Sequence, residues 1–169
     1  MALPSTFRKM MVTKLSTNFR EAVKISSVPM IQPAADEVLV KTRYVGINAS
    51  EINASSGRYA NTGEPPFGAG MESVGEIVSV GRYANTGEPP FGAGMESVGE
   101  IVSVGSGVKN LKVGQAIASM TWGAFAEYNA VPAKMAIPLP AAKAEFVTLM
   151  VSGMTADLSL AELGEMKAG

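Results

Sequence analysis

The sequence contains no cysteine and no histidine in its 169 residues. Without thiols it forms no disulfides and has no thiolate nucleophile, and without imidazole it lacks the commonest general base and nitrogen ligand. Serine–histidine–aspartate and cysteine–histidine catalysis are therefore excluded. A zinc site built from nitrogen and sulfur ligands is excluded too, so we expect no bound metal.

Neither positive nor negative charge predominates, since 14 basic and 15 acidic residues leave a net charge of -1. The basic residues are scattered, which argues against nucleic acid as a partner. No apolar run approaches the roughly 18 residues of a membrane span, and no signal peptide is evident. We therefore expect a soluble, intracellular protein.

The first 20 residues carry four basic residues and no acidic one. This composition is compatible with a mitochondrial transit peptide. The stretch MMVTKL (10–15) also has the pattern of a first β-strand. Both interpretations stay open at this point.

One 24-residue block, GRYANTGEPPFGAGMESVGEIVSV, occurs at 57–80 and again at 81–104 without a substitution. Repeat folds need about three units, and their units diverge in sequence. We interpret residues 1–169 as one domain that carries a tandem duplication. The second copy runs directly into the following segment, so we predict that Val98–Val104 forms the strand that a single copy would form. Tyr59 of the first copy should keep its place after Asn48, and the excess residues should loop out between them.

Most periodic segments alternate apolar and polar residues and are separated by Gly, Pro and Asn, which predicts strands. These segments are Glu37–Asn48, Val98–Val104, Gln115–Met120 and Ala124–Val131. Helical spacing occurs only late, in 141–153 and 159–166, with Gly153 and Gly164 as expected stops. The pattern predicts a mainly β fold, a small antiparallel barrel or sandwich.

Two glycine clusters are candidates for phosphate-binding loops. Gly68, Gly70 and Gly75 form one cluster, and Gly105 and Gly107 form the other. Neither follows a strand and opens a helix with the spacing of the dinucleotide fingerprint. We predict tight turns at both places.

Four motifs in chain order resemble the N-terminal, GroES-like half of the medium-chain dehydrogenase/reductase superfamily. With one copy of the block removed, they are VGINASEIN, SGRYANTGEPPFGAGMESVGEIVSVGSGVKNLKVGQAI, WGAFAEYNAVPAKMAIPLP and TLMVSGMTADLSL. The resemblance implies a GroES-like, partly open β-barrel with short helices. Members of the superfamily continue into a C-terminal Rossmann domain that holds the dinucleotide, and we expect that domain to be absent from this chain.

The resemblance also implies the zinc-free branch. Where zinc-dependent members carry Cys-His, this sequence has Asn48-Ala49, and where they carry Gly-His-Glu it has Met71 and Met95 at the histidine position. Zinc-free members move a hydride from NADPH to the β-carbon of an α,β-unsaturated ketone, here a lipid-like substrate such as a 15-oxo-prostaglandin. An enolate-like oxygen must then be stabilised and a proton delivered to the α-carbon.

Without a cofactor domain we expect the chain to bind no NADPH and to be inactive alone. A homo-oligomer or a full-length family member is then a possible partner, and the resemblance implies a cytoplasmic or peroxisomal location. The alternative is a non-enzymatic GroES-like binding or assembly module, or a truncated regulator of a full-length partner.

Five residues are candidates for the site by resemblance. Tyr59 and its duplicate Tyr83 match a tyrosine that lies over the substrate, and a phenol is protonated at pH 7 and can donate to an enolate. Asn48 has an amide for a carbonyl oxygen or the nicotinamide carboxamide. Ser50 and Trp122 are candidates for substrate binding.

Each candidate has a structural alternative. A tyrosine in a polar turn is often a half-buried anchor, and Trp122 can simply fill the barrel or its lip. Asn48 can be a helix N-cap, because Glu51 stands at the capping-box position. Glu72 and its duplicate Glu96 are expected to cap backbone amides rather than to transfer protons.

Overall fold

The computed structural model describes residues 3–58 and 91–166, which contain two antiparallel sheets and several short helices. The smaller sheet has the order β2-β1-β4, and the larger has the order β7-β3-β5-β6-β8. The strands are β1 (Thr6–Val12), β2 (Val23–Pro29), β3 (Glu37–Val45), β4 (Phe91–Gly92), β5 (Glu96–Val104), β6 (Ala116–Met120), β7 (Tyr128–Pro132) and β8 (Ala136–Leu139). The predicted mainly β, GroES-like fold is confirmed, as two sheets that do not close into one barrel.

The helical elements are short and lie between the strands or after the last one. They are α1 (Phe19–Ala22), α2 (Ala49–Ser55), a 3₁₀ turn (Ala133–Met135), α3 (Glu145–Thr148) and α4 (Met154–Asp157), with wide π-helical turns at Leu149–Gly153 and Leu158–Leu163. The segment 145–163 is therefore helical throughout. We call it the C-terminal helix.

The second copy of the duplicated block supplies the central strand of the larger sheet. β5 pairs antiparallel with β3 on one side and with β6 on the other, and Val98 lies opposite both Tyr44 and Ala118. The prediction that Val98–Val104 fills this strand position is confirmed. The predicted loop of excess residues and the first copy of VGEIVSV lie outside the described residues.

The core of this sheet follows from the alternation along its strands. Val38, Val40 and Ile101 point to one side and pack with Ile117 and Val131, all of them at most 1% exposed. Because β-branched side chains fit the pleated surface, this sequence pattern selects strands over helices. The packed layer fixes β3 and β5, the two strands from which the candidate site is built.

Three predicted boundaries are wrong. The predicted strand 37–48 ends at Val45, because Asn48 begins a helix. The strand predicted at 124–131 begins at Tyr128. The expected stop at Gly153 is absent, since Gly153 has ordinary helical angles (φ -67, ψ -48) and the chain stays helical until Gly164.

Candidate functional site

The candidate site forms where β3 leads into α2. Asn48 has an extended backbone (φ -122, ψ 163) and stands at the N-terminus of the helix. Its backbone N–H donates to Glu51 Oε2 at 2.5 Å, so the Glu51 carboxylate satisfies one of the donors at the helix start. The capping role predicted for this pair is present, and it uses the carboxylate of Glu51.

The side chain of Asn48 takes part in a second contact. Asn48 Nδ2 donates to Glu96 Oε1 at 2.6 Å, and the other carboxylate oxygen of Glu96 accepts the Val151 N–H at 3.0 Å. Glu96 therefore connects β5, the start of α2 and the C-terminal helix. It caps a backbone amide, as expected of this position from the sequence.

Gly46 makes the approach of Glu96 possible. A Cβ at Gly46 would lie 1.9 Å from Glu96 Oε1, which is far too close for a non-bonded contact. A side chain at this position would have to displace Glu96. The absence of a side chain at Gly46 is thus what lets Glu96 reach Asn48.

Two buried carboxylates consequently accept hydrogen bonds from Asn48, Glu51 from its backbone N–H and Glu96 from its side-chain amide. Glu51 is 3% exposed and Glu96 is 4% exposed, and neither forms a salt bridge within residues 3–58 and 91–166. Burial raises the pKa of Glu51, and the nearby Glu96 adds to this rise. Hydrogen bonds from the backbone of Asn48 and Glu51 and from the Ser50 hydroxyl oppose it.

A cavity of about 640 Å³ borders this network. Its walls are mainly apolar, with charged groups at the rim and at the start of α2. The lining residues are Arg8, Lys9, Met10, Phe19, Ile25, Thr42, Val45, Ile47, Asn48, Glu51, Ile52, Phe125, Ala126 and Glu127. The volume is within the range of small-molecule sites, roughly 300–1,000 Å³.

The structure places the predicted site residues differently. Asn48 lines the cavity, whereas Ser50 is buried beside it and donates to Glu51 Oε1 at 3.2 Å. Trp122 is half-buried after β6 and does not line this cavity. Tyr59 and Tyr83 lie outside the described residues, and so does Glu72.

Sequence reasoning missed two features of the site. The contact between Asn48 and Glu96 joins residues that are 48 positions apart in the sequence, so no local pattern predicts it. Lys9 was counted only as one basic residue of the N-terminal stretch, yet it lines the cavity. A strand predicted at 6–12 indicates which side chains share a face, but not which residues of other elements lie opposite them.

Within 3–58 and 91–166, no three His, Cys, Asp or Glu side chains lie close enough together to hold a metal ion. Met95 stands at the family's histidine position and is 3% exposed, and the Asn48 amide nitrogen donates to Glu96. A thioether and an N–H donor do not fit the donor set of zinc.

Comparison with protein families decides the relationship. Residues 34–88 and 81–141 match the alcohol dehydrogenase GroES-like domain. The chain belongs to this family. The two matches overlap at 81–88, inside the duplicated block.

The GroES-like chain is similar to several oxidoreductases. It is 44% identical to prostaglandin reductase-3 of Mus musculus over 99% of its own length and 39% of that protein. It is 33% identical to a probable quinone oxidoreductase of Leishmania amazonensis, covering 43% of that protein. It thus spans about two fifths of the length of these relatives, and the resemblance predicted from its motifs, to the GroES-like half of the medium-chain dehydrogenase/reductases, is confirmed.

The fold is shared with a solved structure of similar type. Escherichia coli quinone oxidoreductase in complex with NADPH matches 95% of this chain and 42% of its own, with a TM-score of 0.72 and 24% identity. At this identity the likeness concerns the fold alone. Separately, the described helices include none that is long and apolar enough to cross a membrane.

Proposed function

We propose that this GroES-like chain is the substrate-side part of a zinc-free, NADPH-dependent reductase of α,β-unsaturated ketones. The observation that carries the proposal is the position of Asn48 at the wall of an apolar cavity, where Glu96 accepts from its side-chain amide and Glu51 accepts from its backbone N–H. The similarity to prostaglandin reductase-3 supports the choice of a lipid-like enone.

The held amide suits the chemistry of an enone. Asn48 Nδ2 carries two hydrogens, and one of them is donated to Glu96. The other hydrogen is available for the ketone oxygen, where negative charge develops when a hydride reaches the β-carbon. Because Glu96 and Glu51 fix the asparagine on both sides, the donor needs little reorganisation.

Two further requirements of the reaction are a hydride and a proton. NADPH would supply the hydride when bound, and α2 offers no cradle for its phosphates, since this helix opens on Asn-Ala-Ser rather than on a glycine-rich turn. We propose that binding of the dinucleotide needs a part corresponding to the remaining length of the relatives. Tyr59 is the proposed donor of the proton or of a hydrogen bond to the enolate.

Enone reduction tests this proposal. We expect the 169-residue chain to give no saturable NADPH-dependent reduction, and a version with one copy of the block and the cofactor domain of a relative to be active. In the active version, Tyr59→Phe should lower kcat much more than it raises KM, and Ser56→Ala is the control. Turnover by the 169-residue chain would contradict the need for an additional cofactor-binding part. An unchanged kcat for Tyr59→Phe would contradict the role proposed for Tyr59.

A fused chain that folds, binds NADPH and still reduces no enone would favour the non-enzymatic binding module instead. Elemental analysis tests the zinc-free assignment separately. We expect far less than one zinc per chain after purification without chelators, and one tightly held zinc per chain would refute the assignment.

A further inference from the structure

The last part of the described chain, residues 155–166, is exposed on all sides, and we call it the arm. The preceding helical turns are packed, since Val147 and Met150 are buried against β5 and β6. In the arm, every side chain whose burial is described is exposed. Its large apolar residues keep at least half of their surface in water: Leu158 (52%), Leu160 (52%), Leu163 (75%) and Met166 (64%). Such a group of exposed apolar side chains marks an interaction surface.

Leu158 and Leu163 lie on one side of the arm. The turn between them is π-helical, and hydrogen bonds in such a turn join residues five apart, as from the Gly164 N–H to the Ser159 carbonyl oxygen at 2.8 Å. A spacing of five therefore places Leu163 one turn after Leu158. A short helix without tertiary contacts is marginal in water, so burial of these two leucines would also stabilise the arm.

The same protein has an apolar cleft where the C-terminal helix leaves the larger sheet uncovered. Val98, Ala118 and Ile137 form one row across β5, β6 and β8, because Ala118 is paired with both of the others. The helix covers Val98 and Ala118, which are at most 1% exposed, whereas Ile137 is 45% exposed. The uncovered part of the row lies on β8, the last strand of the sheet.

Methionine side chains form most of this cleft. It has a volume of about 200 Å³. We call it the methionine cleft, and its lining residues are Met120, Lys134, Met135, Ile137, Met150 and Met154. An engineered apolar cavity of about 150 Å³ binds benzene, so the methionine cleft has room for a leucine side chain. Methionine is flexible and adapts its shape to a partner.

Charge favours the arm as the occupant of the methionine cleft. Residues 155–166 include three acidic residues and no basic one. Lys134 is the charged residue that lines the cleft, and it is exposed and forms no salt bridge within 3–58 and 91–166. Two arms packed against each other would bring like charges together, whereas an arm in the cleft brings acidic residues to Lys134.

We propose that two copies of the chain associate, with the arm of each copy in the methionine cleft of the other. The arm of the same chain does not fill the cleft, because its side chains are exposed. A two-fold axis makes the two contacts identical, which is the commonest arrangement of a homodimer. The proposal does not depend on enone reduction, since the methionine cleft shares no lining residue with the cavity at Asn48.

Sedimentation velocity of the 169-residue chain tests the association. We expect a dimer with a dissociation constant on the order of micromolar, the weak end of the range for protein interfaces. Leu163→Lys should raise this constant at least about 30-fold, the loss typical of a residue that dominates an interface. Val113→Lys is the matched control and should leave it unchanged, since Val113 is 62% exposed between β5 and β6. A monomeric chain would overturn the proposal and leave the arm to the part of the relatives that this chain does not match.

A mixture of two variants tests the arm-in-cleft arrangement. Ile137→Lys blocks the cleft and Leu163→Lys blocks the arm, so neither variant alone retains an intact contact. Their mixture retains one intact arm and one intact cleft, and we expect it to associate more tightly than either variant alone. No gain in the mixture would overturn the arrangement, and so would an Ile137→Lys variant that dimerises like the original chain.

If circular dichroism shows that Ile137→Lys does not fold, Lys134→Glu decides. Lys134 is exposed, and its replacement puts a negative charge where the acidic arm enters. We expect Lys134→Glu to weaken the dimer at least about 10-fold, because like charges then face each other across the contact. Lys109→Glu makes the same change at an exposed lysine between β5 and β6 and should have no such effect. Equal effects of the two variants on association would overturn the assignment.

Discussion

At the residue scale, Asn48 donates its backbone N–H to Glu51 and its side-chain amide to Glu96. Asn48→Asp would exchange that donor for a third carboxylate, next to an oxygen that now lies 2.6 Å away. We expect a loss of about 2–4 kcal/mol in the free energy of unfolding at pH 7, because a hydrogen bond is lost and like charges meet in a buried place. Urea unfolding measures the loss.

The matched control for this substitution is Asn110→Asp. Asn110 is exposed in the segment between β5 and β6, so the same chemical change should alter the free energy of unfolding by less than about 0.5 kcal/mol. The Asn48→Asp loss should also shrink toward pH 4, where protonation relieves the repulsion. Equal losses for the two variants would show that Asn48 is not held as described.

Glu51 gives a prediction about pH, because burial raises its pKa in the folded state. The folded protein then binds the proton more tightly than the unfolded chain. The stability from this group is fully present below the unfolded value, about 4.3. It is lost as pH rises through the folded pKa. Glu51→Gln removes the titration and keeps an oxygen for the Asn48 N–H, so the free energy of unfolding of the variant relative to the original chain should increase with pH above about 4.

Urea unfolding at several pH values between 4 and 8 measures this difference. Glu145→Gln is the control, since the Glu145 side chain is 64% exposed and its replacement should give no comparable trend. A relative stability of Glu51→Gln that falls as pH rises would mean that the folded protein lowers the pKa of Glu51 instead.

At the scale of elements, the duplicated block provides two identical strands for a direct comparison. Ile101 in β5 is 1% exposed, so Ile101→Ala should cost about 2–4 kcal/mol. The same substitution at Ile77, in the same sequence context, should cost less than about 0.5 kcal/mol. Amide hydrogen exchange should likewise protect Ile101 and Val102 strongly and Ile77 and Val78 weakly. Similar costs at both positions would mean that both copies contribute to the folded state.

The sequence predicted strands where side chains alternate and failed where tertiary contacts decide. β3 and β5 are buried on both faces, with Val38, Val40 and Ile101 in one cluster and Val98 in another, and their β-branched residues made the strands visible locally. The C-terminal helix continues through Gly153, whose backbone angles are those of an ordinary helix. A rule based on glycine alone predicts a stop there. At the site, the capping role of Glu51 followed from a spacing of three, whereas the Asn48–Glu96 contact depends on how β5 passes α2.

At the scale of the whole molecule, deletion of either copy gives the same 145-residue sequence. The connection between α2 and β4 then shortens from 35 residues (56–90) to 11. A flexible connection of the longer length costs about 1 kcal/mol more to close. We expect the 145-residue chain to keep the far-ultraviolet spectrum and to gain about that much free energy of unfolding. A less stable shortened chain would show that the additional copy contributes contacts.

The central place of β5 also has a kinetic consequence. Its partner β3 precedes both copies, and the first copy lies 24 residues closer along the chain. Shorter loops close more readily, so during collapse β3 meets the first copy more often than the second. In the folded protein, β3 pairs with the second copy. A molecule in which β3 has paired with the first copy must break that pairing before it can complete folding. Refolding of the 169-residue chain should therefore include a slow phase of strand exchange that the 145-residue chain has no means to produce.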